Sequence, residues 1–209
     1  MTTRVAGVLL AGGQSRRMGG GDKSLKTLGG QSMMHRIIAR VRPQTDSLVI
    51  NANGDPARFS EFDLPVVPDP IGGYAGPLVG VLAGLSWLGN GSIQTIVTVP
   101  TDAPFLPTDL VKQLVTAQAG IADRIVLAAS NGRTHPVCGL WPKSLAADLE
   151  AALIGGTRKV LDWTDRHDTV ITSFAPIAVE GEEIDPFFNT NRPEELAEAE
   201  ALIERLPGL

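Results

Sequence analysis

An apolar run, Val5 to Leu10, leads directly into Ala11-Gly12-Gly13-Gln14-Ser15-Arg16-Arg17-Met18-Gly19-Gly20-Gly21-Asp22-Lys23. A buried strand that ends in five glycines and three cations leaves few choices of fold. Glycine lets backbone N–H groups approach an anion and adopt positive φ. Arg16, Arg17 and Lys23 supply charge that a solvated turn does not need. The combination predicts a polyphosphate-binding loop at the carboxyl end of the first strand of an α/β sheet, where such sheets place their ligands.

Two familiar phosphate loops are excluded by counting. A Walker A loop needs glycine before its Lys-Ser/Thr and another glycine five positions earlier. Here those positions are Asp22 and Arg17. The G-x-G-x-x-G fingerprint fails as well, because Gln14 follows Gly12-Gly13 and Ser24 stands five residues after Gly19. The stretch from Leu10 to Gly19, with Lys23 behind it, instead resembles the nucleotidyltransferase signature L-A-x-G-x-[GS]-x-R-M-G. The doubled glycine in Leu10-Ala11-Gly12-Gly13 resembles the molybdenum cofactor guanylyltransferases in particular, since cytidylyl and sugar-phosphate relatives usually read L-A-A-G.

Strand-like runs recur at Val5–Leu10, Ser47–Asn51, Thr95–Val99, Ile125–Ala129, Val137–Trp141 and Val170–Phe174. Several are continuous and β-branched, the pattern of strands buried on both faces of a parallel sheet. Helical spacing alternates with them. Met34, Ile37, Ile38 and Val41 share one face behind a Ser32 N-cap. Leu78, Leu82, Leu85 and Leu88 follow Pro77; Leu110, Val111, Leu114 and Val115 follow Pro107-Thr108; Ser144 is placed to cap a helix with Leu145, Leu149 and Leu153. A last helix starts near Asn191, with Pro193 in its first turn, and runs to about Leu206. Asp55 to Pro70 reads as an extended connection. The expectation is one domain over residues 1–209: a three-layer α/β/α sandwich with a Rossmann-like, mostly parallel sheet of the nucleotide-diphospho-sugar transferase type.

Composition narrows the partners. A net charge of −5 argues against general nucleic-acid binding, although Arg4, Arg16, Arg17, Lys23 and Lys26 lie close in sequence. One cysteine, Cys138, excludes an internal disulfide and reads as a small buried residue. No apolar run reaches the ~18 residues of a membrane helix. The N-terminal run leads straight into the loop, so it reads as a first strand, with the cytoplasm as the expected location.

Beyond the loop, Asp102 stands in Thr98-Val99-Pro100-Thr101-Asp102-Ala103-Pro104, a carboxylate at the end of an apolar strand. Such a carboxylate suits Mg²⁺, which takes one or two carboxylates plus substrate phosphates; a turn Asp capping the next helix is the alternative. Asn51 ends one strand, and Asp69 precedes Gly72-Gly73-Tyr74-Ala75-Gly76-Pro77-Leu78; each reads equally as turn residue or ligand. Asn189 and Asn191 flank Thr190 ahead of Pro193-Glu194-Glu195-Leu196 and read as caps or as site residues. His135 is either a pterin contact or a strand-end histidine. Trp87, Trp141 and Trp163 read as core.

The family resemblance implies definite roles. Leu10, Ala11, Gly12, Gly13, Lys23, Asn51, Asp69 and Asp102 would bind nucleotide, with Asn51 and Asp69 lining the guanosine site. Asp102 would hold Mg²⁺, Arg17 and Lys23 would stabilise phosphoryl charge, and Asn189 and Asn191 would face molybdopterin. The implied reaction transfers GMP from GTP to molybdenum-loaded molybdopterin, with molybdenum-insertion and molybdoenzyme maturation proteins as further partners. A cytidylyl or sugar-phosphate nucleotidyltransferase on the same fold, and a non-catalytic nucleotide-binding regulator, are the rival readings.

Overall fold

The structure, a computed structural model, describes residues 3–12, 22–73, 76–179 and 181–205. Seven strands form the main sheet: β1 (Ala6–Leu10), β4 (Ser47–Asn51), β5 (Val66–Val67), β6 (Thr95–Pro100), β7 (Ile125–Ser130), β8 (Arg133–Pro142) and β9 (Thr169–Ser173). Two-stranded ribbons are made by β2 (Thr27–Leu28) with β3 (Gln31–Ser32) and by β10 (Ile177–Val179) with β11 (Glu182–Ile184). The helices are α1 (Met33–Val41), α2 (Pro77–Trp87), α3 (Leu110–Gln118), α4 (Ala146–Ile154), α5 (Val160–Thr164) and α6 (Pro193–Arg205).

The sheet order is β5-β4-β1-β6-β8-β7-β9. Parallel pairing joins β5 to β4, β4 to β1, β1 to β6 and β7 to β9, while β8 runs antiparallel to both its neighbours. The expected mostly parallel sheet between helical layers is therefore present. Its one reversed strand stems from Asn131-Gly132, which sit at φ 48° and 73°. Two consecutive positive φ values make a type I′ turn, which returns the chain antiparallel without a crossover.

Consecutive strand residues face opposite layers, and both layers are covered. Leu9, Ile50 and Val97 join Met34, Ile37, Leu110 and Leu114 in one core. Val8, Val49 and Ile96 join Leu78, Leu82, Leu85, Trp141 and Trp163 in the other. This is why the strands read as unbroken apolar runs. Cys138 is fully buried, and Trp141 and Trp163 stack 6.1 Å apart, as core residues. A third cluster packs α6 (Ala199, Leu202, Ile203) on Leu28 and Met33.

Local expectations meet mixed outcomes. Ser32 caps α1, its hydroxyl accepting the His35 N–H. Ser144 does not cap α4: it lies in a 3₁₀ turn over Lys143–Leu145, its hydroxyl donates to Asp123, and Leu145 holds the N-cap position. The 55–70 connection is not simply extended. Pro56–Phe62 forms a 3₁₀ helix started by Asp55, which accepts the Ala57 N–H, and pinned by buried Phe59 and Phe62.

Candidate active site

The parallel register lines up four strand ends. Leu10 pairs with Asn51 and Pro100, and Asn51 pairs with Val67. The next residues along each strand, Ala11-Gly12, Ala52-Asn53, Pro68-Asp69 and Thr101-Asp102, therefore emerge side by side at one edge of the sheet. Hydrogen bonds lace them together. Ala11 N–H donates to Asn51 O (2.9 Å), Ala52 N–H to Val67 O (3.0 Å) and the Thr101 hydroxyl to Leu10 O (3.1 Å). The Ala11 amide is thus engaged by the protein itself.

Lys23 stands at the centre. Its Nζ donates to Asp102 Oδ2 at 2.8 Å and to Asn191 Oδ1 at 2.6 Å. The lysine and aspartate side chains are only 13% and 23% exposed, so this pair is poorly screened by solvent. Three segments far apart in sequence meet here: the end of the glycine loop, the end of β6 and the entry to α6. Thr190 makes the meeting possible. It is fully buried; its N–H and hydroxyl both donate to Asp102 O, at 2.9 and 3.2 Å, and the hydroxyl also reaches Met33 Sδ.

Asn191 is not a side-chain cap of α6. Glu195 Oε2 accepts the N–H groups of Asn191 and Arg192 and does that work, leaving the Asn191 amide for Lys23. Asn189 is half-buried, and among the described residues its side chain has no hydrogen-bond partner. It lies on the same segment, two residues before Asn191, without touching Lys23.

Asn51 and Asp69 are joined. Asn51, 3% exposed, donates through Nδ2 to Val67 O (3.2 Å) and Asp69 Oδ1 (3.0 Å). Asn53, which sequence reasoning missed, donates to Asp69 Oδ2 (2.7 Å) and accepts the Asp69 N–H (2.9 Å). Asp69 is therefore held at both oxygens, and buried Asn51 orients it from below. Helix α2 closes on this pair at Gly80: a Cβ there would lie 2.5 Å from Asn51 Oδ1 and 2.6 Å from Leu10 Cδ2. At Gly12 the reverse holds. A Cβ would meet no described atom within 4 Å, and the backbone is not in the positive-φ region, so the described residues do not demand glycine there.

Gly13 and Arg17 lie outside the described residues, as does Arg16. Arg4 does not belong with the loop cations. It precedes β1, at the opposite edge of the sheet, where its guanidinium bonds Asp46 (2.9 Å) and Ser92 (2.8 Å). The three histidines are engaged away from Lys23 and Asp102: His35 with Ser32, His167 with Asp148, and His135 with Ser130 at 2.7 Å. His135 also stacks on Phe187, and burial holds its pKa below the ordinary imidazole value. The Ser130 hydroxyl donates onward to Asp185, which in turn accepts the Phe187 N–H.

A strand-end edge carrying one lysine–carboxylate pair, one amide partner and one braced acidic residue is chemistry for binding a nucleotide and shifting charge between phosphates. Known proteins agree. A molybdenum cofactor guanylyltransferase of Bradyrhizobium sp. (strain ORS 278) is 48% identical over 204 residues, covering 96% of this chain and 94% of its own. One from Mesorhizobium japonicum is 45% identical, covering 99% of each chain. Among solved structures, molybdopterin-guanine dinucleotide biosynthesis protein A from Archaeoglobus fulgidus shares the fold with a TM-score of 0.74 at 21% identity, over 96% of this chain and all of that one. Residues 7–170 match the MobA-like NTP transferase domain. With this match over most of the chain, and with the strand-end aspartate and the sheet order in place, the chain belongs to the MobA-like NTP transferase family.

Proposed function

We propose that this protein transfers the GMP moiety of GTP to molybdenum-bearing molybdopterin, releasing diphosphate and forming the guanine dinucleotide cofactor. The observation that carries the reading is the Lys23 ammonium shared between Asp102 and Asn191, at 2.8 and 2.6 Å. It joins the nucleotide loop to the late segment that the acceptor would use.

The acceptor's terminal phosphate monoester, with a second pKa of about 6, is already largely dianionic at neutral pH and attacks without a protein base. The site matches this, since no histidine contacts Lys23, Asp102 or Asn191 among the described residues. Lys23 neutralises charge on the phosphoryl group in transit and on the departing diphosphate, and Arg17 is proposed as a second cation there. Asn191 keeps the ammonium aimed between the two substrates. Asn189 offers an unpartnered amide to the acceptor. Gly12, where a Cβ would meet no described atom within 4 Å, gives the base room to approach, with Leu10 and Ala11 beside it and Gly13 proposed as a further nucleotide-binding residue. Asp69, braced by Asn51 and Asn53, supplies two carboxylate oxygens to the base or ribose.

Asp102 fits a Mg²⁺ ion. Among the described residues no group of three or more acidic, histidine or cysteine side chains converges, so the ion would take one protein carboxylate and complete its shell with phosphate oxygens and water, its common arrangement at nucleotide sites. Bound there, Mg²⁺ supplies further neutralisation of phosphate charge. No helix among the described residues is long and apolar enough to cross a membrane. We place the protein in the cytoplasm, where it would hand its product to molybdoenzyme maturation proteins.

Side-by-side calorimetry of GTP, CTP and ATP with Mg²⁺ tests the nucleotide, and diphosphate release on adding molybdopterin tests the reaction. A site with polar groups matched to one base rejects another strongly, because its own groups are left unpaired. Equal binding of CTP and GTP sinks the guanine assignment, and nucleotide binding without diphosphate release favours a regulator.

A further inference from the structure

Asp22, immediately before Lys23 in sequence, brings a negative charge into the segment whose ammonium the proposed function assigns to phosphate. Its partner is Arg58. The guanidinium Nε lies 2.9 Å from Asp22 Oδ2, with the two side chains 32% and 20% exposed. Nε is shut off from solvent, yet its N–H is not aimed at the oxygen, so the contact is charge pairing more than a directed hydrogen bond. Arg58 is rigidly mounted. It sits in the 3₁₀ helix pinned by Phe59 and Phe62, its Nη2 donates to Asn53 O (2.6 Å), and its guanidinium carbon rests 4.8 Å above the Phe59 ring. Gly54, at φ 88°, leaves it room: a Cβ there would lie 3.3 Å from its Nη1. The same Asn53 braces Asp69. The arrangement holds a cation in place against the acidic residue that precedes Lys23 in sequence.

We propose that Arg58 is a positioning residue for the triphosphate: by pairing with Asp22 it cancels the negative charge that precedes Lys23 and sets the phosphate affinity at Lys23. The proposal rests on the nucleotidyltransferase reading but does not depend on which base is bound. It predicts an effect that grows with phosphate count and disappears when Asp22 loses its charge.

The test is calorimetric titration of wild type, Arg58→Gln, Arg58→Lys and Arg58→Gln/Asp22→Asn with magnesium GTP, GMP and magnesium tripolyphosphate. Arg58→Gln is expected to weaken GTP and tripolyphosphate by about fivefold to tenfold, the scale of one uncompensated charge at a partly buried site. GMP should change by less than about twofold. Arg58→Lys should restore most of the loss, and the double variant should return to within about twofold of wild type. An equal loss for GMP and GTP would show Arg58 acting through Asn53 and Asp69, and overturns the proposal. So does unchanged tripolyphosphate binding in Arg58→Gln, or a double variant no better than the single one. A wild type that binds tripolyphosphate but does not prefer GTP defeats the guanine assignment and leaves this test intact; a wild type that binds neither defeats both.

Discussion

Replacing Gly80 by alanine adds one methyl group to the interior of α2, at a point where there is no room for it. Alanine is favoured over glycine in a helix by about 1 kcal/mol. Against that, the new Cβ would sit 2.5 Å from Asn51 Oδ1 and 2.6 Å from Leu10 Cδ2, where ordinary contact begins near 3.4 Å. Overpacking of this kind costs about 1–3 kcal/mol, so the net loss of stability is about 0–2 kcal/mol. For a chain of this size that lowers Tm by up to about 8 °C. The larger effect falls on the site. Relieving the clash moves the Asn51 amide by roughly 1 Å, which carries its 3.0 Å bond to Asp69 beyond hydrogen-bonding range. A bond to a charged group contributes about 1.5–3 kcal/mol, so GTP affinity should drop about tenfold to a hundredfold. Gly84 supplies the control one turn along. Its Cβ would meet Val8 Cγ2 at 2.5 Å and Ile96 Cδ1 at 2.9 Å, apolar core atoms with no link to the site. Gly84→Ala should lower Tm similarly and leave GTP binding intact. Calorimetric titration and thermal melting of both variants decide the matter. If Gly80→Ala binds GTP like wild type, or if Gly84→Ala loses as much affinity, the reasoning about Asn51 fails.

Four further outcomes are expected. Asp102→Asn should fold normally and lose at least about a hundredfold in turnover; near-normal activity at limiting Mg²⁺ would leave Asp102 structural. Lys23→Ala should lower kcat by a larger factor than it raises KM for GTP, whereas a pure KM effect would assign Lys23 to ground-state binding. Asn191→Ala should lower kcat with Tm changed by no more than about 2 °C, since Glu195 caps α6 and a lost cap would cost about 1 kcal/mol. His135 sets a pH dependence: burial lowers its folded pKa, opposed by Asp185 and aided by Arg133, so the unfolded chain binds its proton first. Its share of stability is complete above about pH 6.5 and falls on acidification; His135→Gln should therefore show a shallower loss of Tm between pH 7 and pH 5, and an unchanged slope would refute the assignment.

Much of the molecule is legible in its residues, for physical reasons that also mark where legibility stops. Strands buried on both faces announce themselves, and the apolar run at Ser47–Asn51 matches β4 to the residue. The antiparallel course of β8 is written in Asn131-Gly132, a hairpin signal easily overlooked beside the apolar run behind it. Ser144 misleads because a hydroxyl ahead of a helix has competing partners, here Asp123 from 21 residues away. In the site, Lys23, Asp102 and Asn191 stand out singly, but their convergence on one ammonium depends on Thr190, whose role lies in two bonds to a carbonyl 88 residues distant. Asn53 and Arg58 carry no local signal at all: an Asn in a turn and an Arg on a short helix look like surface until the strands are registered.

The 168-residue separation between Lys23 and Asn191 has a consequence for how the enzyme comes into being. Synthesis delivers the chain from its N-terminus, and domains fold as their segments emerge. The last strand of the main sheet ends at Ser173, so Lys23, Asp69 and Asp102 can all be in their places while Asn189, Thr190 and Asn191 are still inside the ribosome. A half-made protein would already carry Lys23, Asp69 and Asp102 on the finished sheet, with no Asn191 yet to share the ammonium. The bond between Lys23 and Asn191 can close only late, once Thr190 docks on the Asp102 carbonyl and α6 settles on Leu28 and Met33.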